Sequence, residues 1–531
     1  MQPNRMVRRA LRAHEHGEFD KAERLYAAVL QTQPDHFDAL HGLGRINYRR
    51  GRLDAALALI QAALQADLDR ADGFSSLGLV FHALKQFERA LTSYDEGLRI
   101  APDDIELLNR RGVALLELGR PAEALQDFER VLAAAADHLE ALGNRGNALI
   151  KLNRPAEALL SYDRALTISP DNAQLLTNRA AALRRLDRPH EAVMSARRAL
   201  VSQPDFAQAK FVEGVARLTL GDFSGWRGYE ARWGVGFLAS HRRSFAAPLW
   251  LGESSLDGKT ILLHAEQGFG DTLQFVRYAP RLAGRGAHVI LEVQPELARL
   301  LSPLPGVTTV IARGKPLPPF DFHCPLLSLP LAFATELATI PAAIPYIAAA
   351  EQDIALWRER LPRRRPLIGL VWSGERSHDN DRNRSLRLET LLPLLKTQAT
   401  FVSLQHEVRD EDAALLQQQS AIVHVGNRFS DFADTAAVIS LLDAVIAADT
   451  AVAHLAGAMG KPLLLLLPFG ADFRWLRERD DSPWYPTARL FRQPAFGDWT
   501  SVVEAVRSQI MQFTSSYSGL TRVSMPRRNT A

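Results

Sequence analysis

Apolar and small residues recur with a period of 34 over the first 235 residues; from about residue 258 short apolar runs alternate with amphipathic stretches. Small residues mark one lattice at Ala22, Ala56, Ala90, Ala124, Ala158 and Ala192. A second reads Gly44, Gly78, Gly112, Gly146, Ala180 and Gly214, with Ala10 in the same phase. Turn positions fall at Gly17, Gly51, Gly119 and Gly221, with Lys85, Asn153 and Asp187 between them. Pro34, Pro102, Pro170 and Pro204 form a fourth lattice, Leu68 and Ala136 filling its gaps, and an aspartate follows each point (Asp35, Asp69, Asp103, Asp137, Asp171, Asp205). Each unit therefore predicts two antiparallel helices that approach closely where the side chains are small. Proline closes the unit, and the aspartate is expected to cap the next helix.

In the second half, Thr260–Glu266, His288–Val293 and Thr308–Ile311 predict strands, with helices over Thr272–Leu282 and Pro295–Leu301. Alternation resumes after Pro362-Arg-Arg-Arg-Pro366, with strands at Leu367–Trp372, Phe401–Leu404, Ala421–Val425, Ala444–Ala447 and Leu463–Leu467. Strand–helix alternation means parallel sheets covered by helices on both faces.

The period and pattern of the first half resemble the tetratricopeptide repeat. Six units cover 3–36, 37–70, 71–104, 105–138, 139–172 and 173–206. A degenerate seventh, rich in aromatics from Phe223 to Trp233, suits a cap on the last open face. The expected organisation is a solenoid over 1–235, a linker over 236–257, doubly wound domains over 258–361 and 362–513, and a disordered tail over 514–531. Such a solenoid is a docking surface whose inner face is the first-helix face. Asn144 and Asn178 occupy adjacent inner positions. They resemble rungs of the asparagine ladder with which the repeats of protein O-GlcNAc transferases hold extended peptides, since an amide offers a donor and an acceptor together. Equally, they read as solvated polar residues on a helix face.

Two motifs carry candidate chemistry. In Gln267-Gly-Phe-Gly-Asp271-Thr272, Gly268 and Gly270 allow a tight turn from strand to helix. Asp271 in the first helical turn reads either as a general base toward an acceptor hydroxyl or as a helix cap. The second motif runs from Asp449-Thr450 through His454 to Gly460-Lys-Pro462: strand, acidic turn, small-residue helix, strand. The free N–H groups of that helix suit phosphate. His454 reads as a group on the phosphate side or as a histidine bonded to a neighbour.

Together the motifs resemble the family 9 glycosyltransferases, the ADP-heptose:lipopolysaccharide heptosyltransferases, over 258–512. The resemblance implies a GT-B fold, two Rossmann-like domains with a cleft between them, a topology that also serves epimerases. It implies that Asp271 is the base and that Asp449, Thr450 and His454 contact sugar and diphosphate. Ala451 stands where the family usually has glycine. In the loop Val371-Trp-Ser-Gly-Glu375 to Leu386, Ser373 and Arg384 are the nearest matches to the family's phosphate-binding hydroxyl and lysine, with Arg382 and Arg387 as rivals. Arginine preserves the charge and changes the geometry. The aromatics from Phe469 to Tyr485 could flank a base, or pack the core.

Composition narrows the rest. The chain has 531 residues, 47% of them hydrophobic, with a net charge of only +3. That balance does not argue for nucleic acid. A single cysteine, Cys324, excludes an intrachain disulfide and a cysteine metal cluster. Met1-Gln-Pro-Asn-Arg precedes no apolar run, and no stretch is long enough to span a membrane, so a cytoplasmic protein is expected. The expected function is an inverting, metal-independent transfer of sugar from a nucleotide-diphosphate donor to a hydroxyl on a protein held by the repeats, with no cofactor. A lipid- or polysaccharide-directed transferase and a non-catalytic scaffold are the alternatives.

Overall fold

The computed structural model describes residues 3–378 and 380–523. Helix pairs follow the 34-residue period, from Pro3–Glu15 with Phe19–Leu30 to Ala173–Arg185 with Pro189–Ser202, and a further helix spans Ala207–Thr219. The turn lattice is borne out: Gly17, Gly51, Gly119 and Gly221 have φ of +76°, +72°, +71° and +77°, and Lys85, Asn153 and Asp187 take +59°, +59° and +53°. The glycine lattice has a partner that the sequence reading did not use. A Cβ on Gly44 would lie 2.5 Å from Ile60, and one on Gly112 2.5 Å from Phe128. Ala180 is tolerated in the sixth unit because the corresponding second-helix residue there is Ala196. The post-proline aspartates are not the caps. Asp104, one residue later, accepts from the N–H groups of Glu106 and Leu107, while Asp103 and Asp137 meet Arg130 and Arg164, each on the second helix of the unit that follows. The turn uses one more residue than the lattice suggested.

The chain divides into two compact units, Met1–Ala182 and Leu183–Ala531. The division lies well before 235 because the cap belongs to the core of the α/β region: Trp226 and Tyr229 are buried in one cluster with Phe275, Phe473 and Trp484. Nor is 236–257 a bare linker. Leu249 bridges to His323, and Trp250 and Leu256 are buried.

Strands β1 (Thr260–His264), β2 (His288–Val293), β3 (Thr309–Ala312) and β4 (Phe322–Pro325) form a parallel sheet in the order β3-β2-β1-β4. Strands β5 (Leu367–Val371), β6 (Thr400–Ser403), β7 (Ile422–His424), β8 (Ala444–Ala448), β9 (Leu463–Leu467) and β10 (Ala488–Arg492) form a second, ordered β10-β9-β8-β5-β6-β7. Counted from its own first strand, the second sheet is 3-2-1-4-5-6, the doubly wound order, and its order reverses between β5 and β8. β4 and β10 are additions to the sequence reading. The tail expected to be disordered from 514 is helical as far as Val523, in the helix Trp499–Val523; 524–531 lie outside the described residues. Among the described residues no helix is long and apolar enough to cross a membrane.

Candidate functional site

In an open parallel sheet ligands bind outside the carboxyl ends of the strands where the order reverses. In the second sheet that point is flanked by Ser373, two residues past β5, and by Asp449 and Thr450, directly after β8. Hydrogen bonds hold the loop after β5 at several points. Gln405 accepts from the N–H groups of Trp372 (3.2 Å) and Ser373 (3.1 Å) and donates to the carbonyl of Ser373 (2.9 Å). Ser385 accepts from the Gly374 N–H at 3.0 Å, and Arg409 pairs with Asp381 at 2.6 Å. Arg384 lies over Gly374, where a Cβ would sit 2.7 Å from its guanidinium, and donates to the carbonyl of Asp449 at 3.0 Å. Of its rivals, Arg387 meets Asp412, and Arg382 is exposed.

Three polar atoms of this crevice are buried and meet no protein partner: Ser373 Oγ, Thr450 Oγ1 and Arg384 Nε. Thr450 is the N-cap of the helix Ala451–Ala458, yet its hydroxyl makes no capping bond. Burying such groups unpaired is costly. Lys461 of the Gly-Lys-Pro segment does not join them, because its ammonium caps the carbonyls of Ser440 and Leu442.

His454 is turned inward. Its Nδ1 meets the Tyr485 hydroxyl at 2.9 Å, and its ring stacks on Trp475 with centroids 5.3 Å apart. A Cβ on Gly270 would meet it at 2.7 Å, which explains that glycine. Burial, with Arg474 adding to it, drives its pKa down to about 3, so the ring is neutral and its 3.8 Å approach to Asp449 is no ion pair. Burial and then Asp472 push Asp449 up to about 6.

Asp271 faces this crevice from the first α/β half. It is not the N-cap of its helix, Phe269–Phe275; Gly268 is. From the third position Asp271 reaches back to accept from the Gly268 N–H at 2.9 Å, half of a capping box. Its other oxygen pairs with Arg474, which sequence reasoning missed. Arg474 also donates to Asp472 (2.7 Å) and Gln274 (2.7 Å). Burial alone would raise Asp472; Arg474 holds it below the ordinary carboxylate range.

The corresponding crevice of the first sheet is filled by the protein. Arg232 of the cap, fully buried, bridges Glu266 beyond β1 (3.0 Å) and Ser328 beyond β4 (2.7 Å). Burial raises Glu266 to about 8 against the pull of Arg232. Cys324 is buried in β4, its thiol donating to the carbonyl of Pro325. The aromatics Trp475, Trp484 and Tyr485 are core residues, at most 1% exposed.

In the repeats, Asn144 donates to Asn109 at 3.1 Å, and Asn178 donates to Asn147 at 3.0 Å while accepting from Gln174. The two asparagine–asparagine bonds join successive units, as do His41 with Ser76 and Arg110 with Ser75. The two asparagines are thus partly exposed members of a cross-repeat network.

Family models described as tetratricopeptide repeat match residues 7–71 and 109–173, and one described as TPR repeat matches 78–119. The N-terminal region is a tetratricopeptide repeat solenoid. Protein FlbA of Caulobacter vibrioides is 25% identical over 334 residues, 58% of this chain and 55% of its own length. The chain thus spans about half of that relative, and a match of this extent reaches beyond the repeats into the α/β region. Among solved structures, YrrB, a TPR protein with an unusual peptide-binding site, is 20% identical at a TM-score of 0.31, covering 35% of this chain and 95% of its own. Pseudomonas aeruginosa PilF is 18% identical at 0.36, covering 39% of this chain and 95% of its own.

Proposed function

We propose that the chain is a glycosyltransferase of GT-B plan that moves a sugar from a nucleotide-diphosphate donor to a hydroxyl on a protein held by the repeats. One observation carries the reading: the switch point between β5 and β8 gathers Ser373 Oγ, Thr450 Oγ1 and Arg384 Nε, all buried and without protein partners. Two hydroxyls, a guanidinium and the N–H groups of the helix Ala451–Ala458 are what a diphosphate requires. Arg384 supplies charge to the leaving diphosphate, so the reading needs no metal. Asp271, facing the crevice, is the base, and one base with in-line attack inverts the anomeric carbon. Neutral His454 acts by packing the glycine turn against the helix that receives phosphate. Asn144 and Asn178, which offer amides on a partly exposed row, are the candidate contacts for the backbone of the acceptor protein.

Calorimetry on the full chain with ADP, UDP and GDP, in chelator, tests this. One of them is expected to bind, and Arg384→Ala to weaken it about 10- to 100-fold, the loss of one charge-assisted hydrogen bond. Binding that vanishes in chelator, or is indifferent to Arg384→Ala, contradicts the site.

A further inference from the structure

The loop between β9 and β10 touches two things at once. On one side Arg474 holds an Asp271 oxygen, and Trp475 stacks on His454. On the other side the loop is clamped by the turn between the two helices of the sixth unit and by the cap. Gly470, at φ +67°, lies so close that a Cβ would stand 2.6 Å from the carbonyl of Arg185 and 3.0 Å from that of Arg184. Arg477 pairs with Asp187 at 2.9 Å. Phe473 sits edge-on to the cap residues Trp226 and Tyr229, with centroids 5.5 and 5.8 Å away. Arg492 fixes the backbone by donating to the carbonyl of Trp475 at 2.6 Å. Next in the chain, Leu476 is held at φ +54° and Glu478 at +54°. Positive φ is strained for a residue such as leucine and persists only where the surroundings over-determine it.

Asp187 belongs to the turn lattice that glycine fills in four other units. Glycine is the easier residue at φ +53°, so the aspartate there gives up local stability. Its carboxylate meets Arg477. That contact gives the departure from the lattice a use.

We propose that Arg474 is a positioning residue for Asp271, and that the Asp187–Arg477 pair, at the turn of the sixth unit, seats the loop that carries it. The geometry runs from a repeat turn through one loop to both carboxylate oxygens of Asp271: one taken by Arg474, the other by the Gly268 N–H. The structural half of this inference stands independently of the transferase reading; only its effect on turnover rests on that reading.

Hydrogen exchange on the full chain tests the coupling without activity. Asp187→Asn keeps the turn, since Asn153 fills the same lattice point at φ +59° one unit earlier, and removes only the charge. It is expected to speed exchange roughly fivefold, the worth of one partly exposed ion pair, both in 471–476 and at Gly268. Loosening confined to the loop, or no change at all, overturns the proposal. Where wild type turns over, kcat of Asp187→Asn is expected to fall about 10- to 100-fold, the cost of a small displacement of a reacting group, with the KM for the sugar donor unchanged. Arg474→Lys, which keeps a charge on Asp271, should recover part of the kcat lost in Arg474→Ala. A raised KM at unchanged kcat in the Arg474 variants would instead make Arg474 a contact for the sugar donor. If wild type shows no turnover the transferase reading fails, and the exchange result still decides the coupling.

Discussion

Single side chains carry their environment in their protonation. His41 is buried and bonded to Ser76 at 2.8 Å, and burial, opposed in part by Asp72, lowers its pKa from 6.5 to about 4. Between those values the unfolded chain binds a proton that the folded repeats refuse. The contribution of His41 is therefore complete above pH 6.5 and is lost as the pH falls toward 4, about 2 kcal/mol by pH 5. Thermal unfolding of the repeat region should decline over this window, and less steeply in His41→Gln; an equal slope would show that the burial is not felt. At the same scale, Ser373 and Thr450 were legible because each closely follows a strand that the sequence marks, and Asp271 because it lies in the first turn of a marked helix; Arg384, farther along its loop, was one of three arginines that the sequence alone did not separate. Arg474 was not legible. It lies 203 residues from Asp271 in a loop with no pattern of its own. Of the two readings of His454, the structure has the histidine bonded to a neighbour; which neighbour was hidden, because the rotation of this short helix on its sheet is set by Trp475 and Tyr485, not by its own periodicity.

At the scale of elements the repeats read most clearly, since their spacing is a packing requirement. Gly112→Ala would drive a methyl to 2.5 Å from the Phe128 ring. Overpacking of this kind costs about 1–3 kcal/mol. Phe128→Leu in the same chain should recover part of that loss, and a double-mutant cycle in urea measures the coupling; additive effects would mean that the two helices do not meet there. β4 and β10 escaped the sequence reading for a physical reason. Phe322-His-Cys-Pro is too short, and Ala488-Arg-Leu-Phe-Arg too charged, to present the apolar run of a buried strand. The pairing of β4 with β1, and of β10 with β9, supplies what their own residues do not.

For the whole molecule, the repeat pattern suggested that the solenoid and the α/β region part after residue 235, whereas the compact units meet at Ala182 and Leu183. Aromatic bulk from Phe223 to Trp233 suits a cap, but a sequence does not say which core such bulk joins. Here Trp226 and Tyr229 close the core that also holds Phe275 and Phe473. The last helices and the sheets therefore share one buried core, and the loop that carries Arg474 packs on that core while Arg474 holds Asp271. On the proposed function, this region modifies a protein by transferring a sugar, with Asp271 as base. Asparagine at 271 still accepts from the Gly268 N–H but takes no proton at neutral pH. Removal of a general base lowers the rate by about 10²–10⁴-fold. Mass spectrometry of the native proteome, with the gene deleted and then restored as wild type or as Asp271→Asn, tests this directly. A sugar mass on at least one protein should vanish on deletion, return with the wild-type chain and stay absent with folded Asp271→Asn. A protein sugar complement that is identical in all strains would contradict the account.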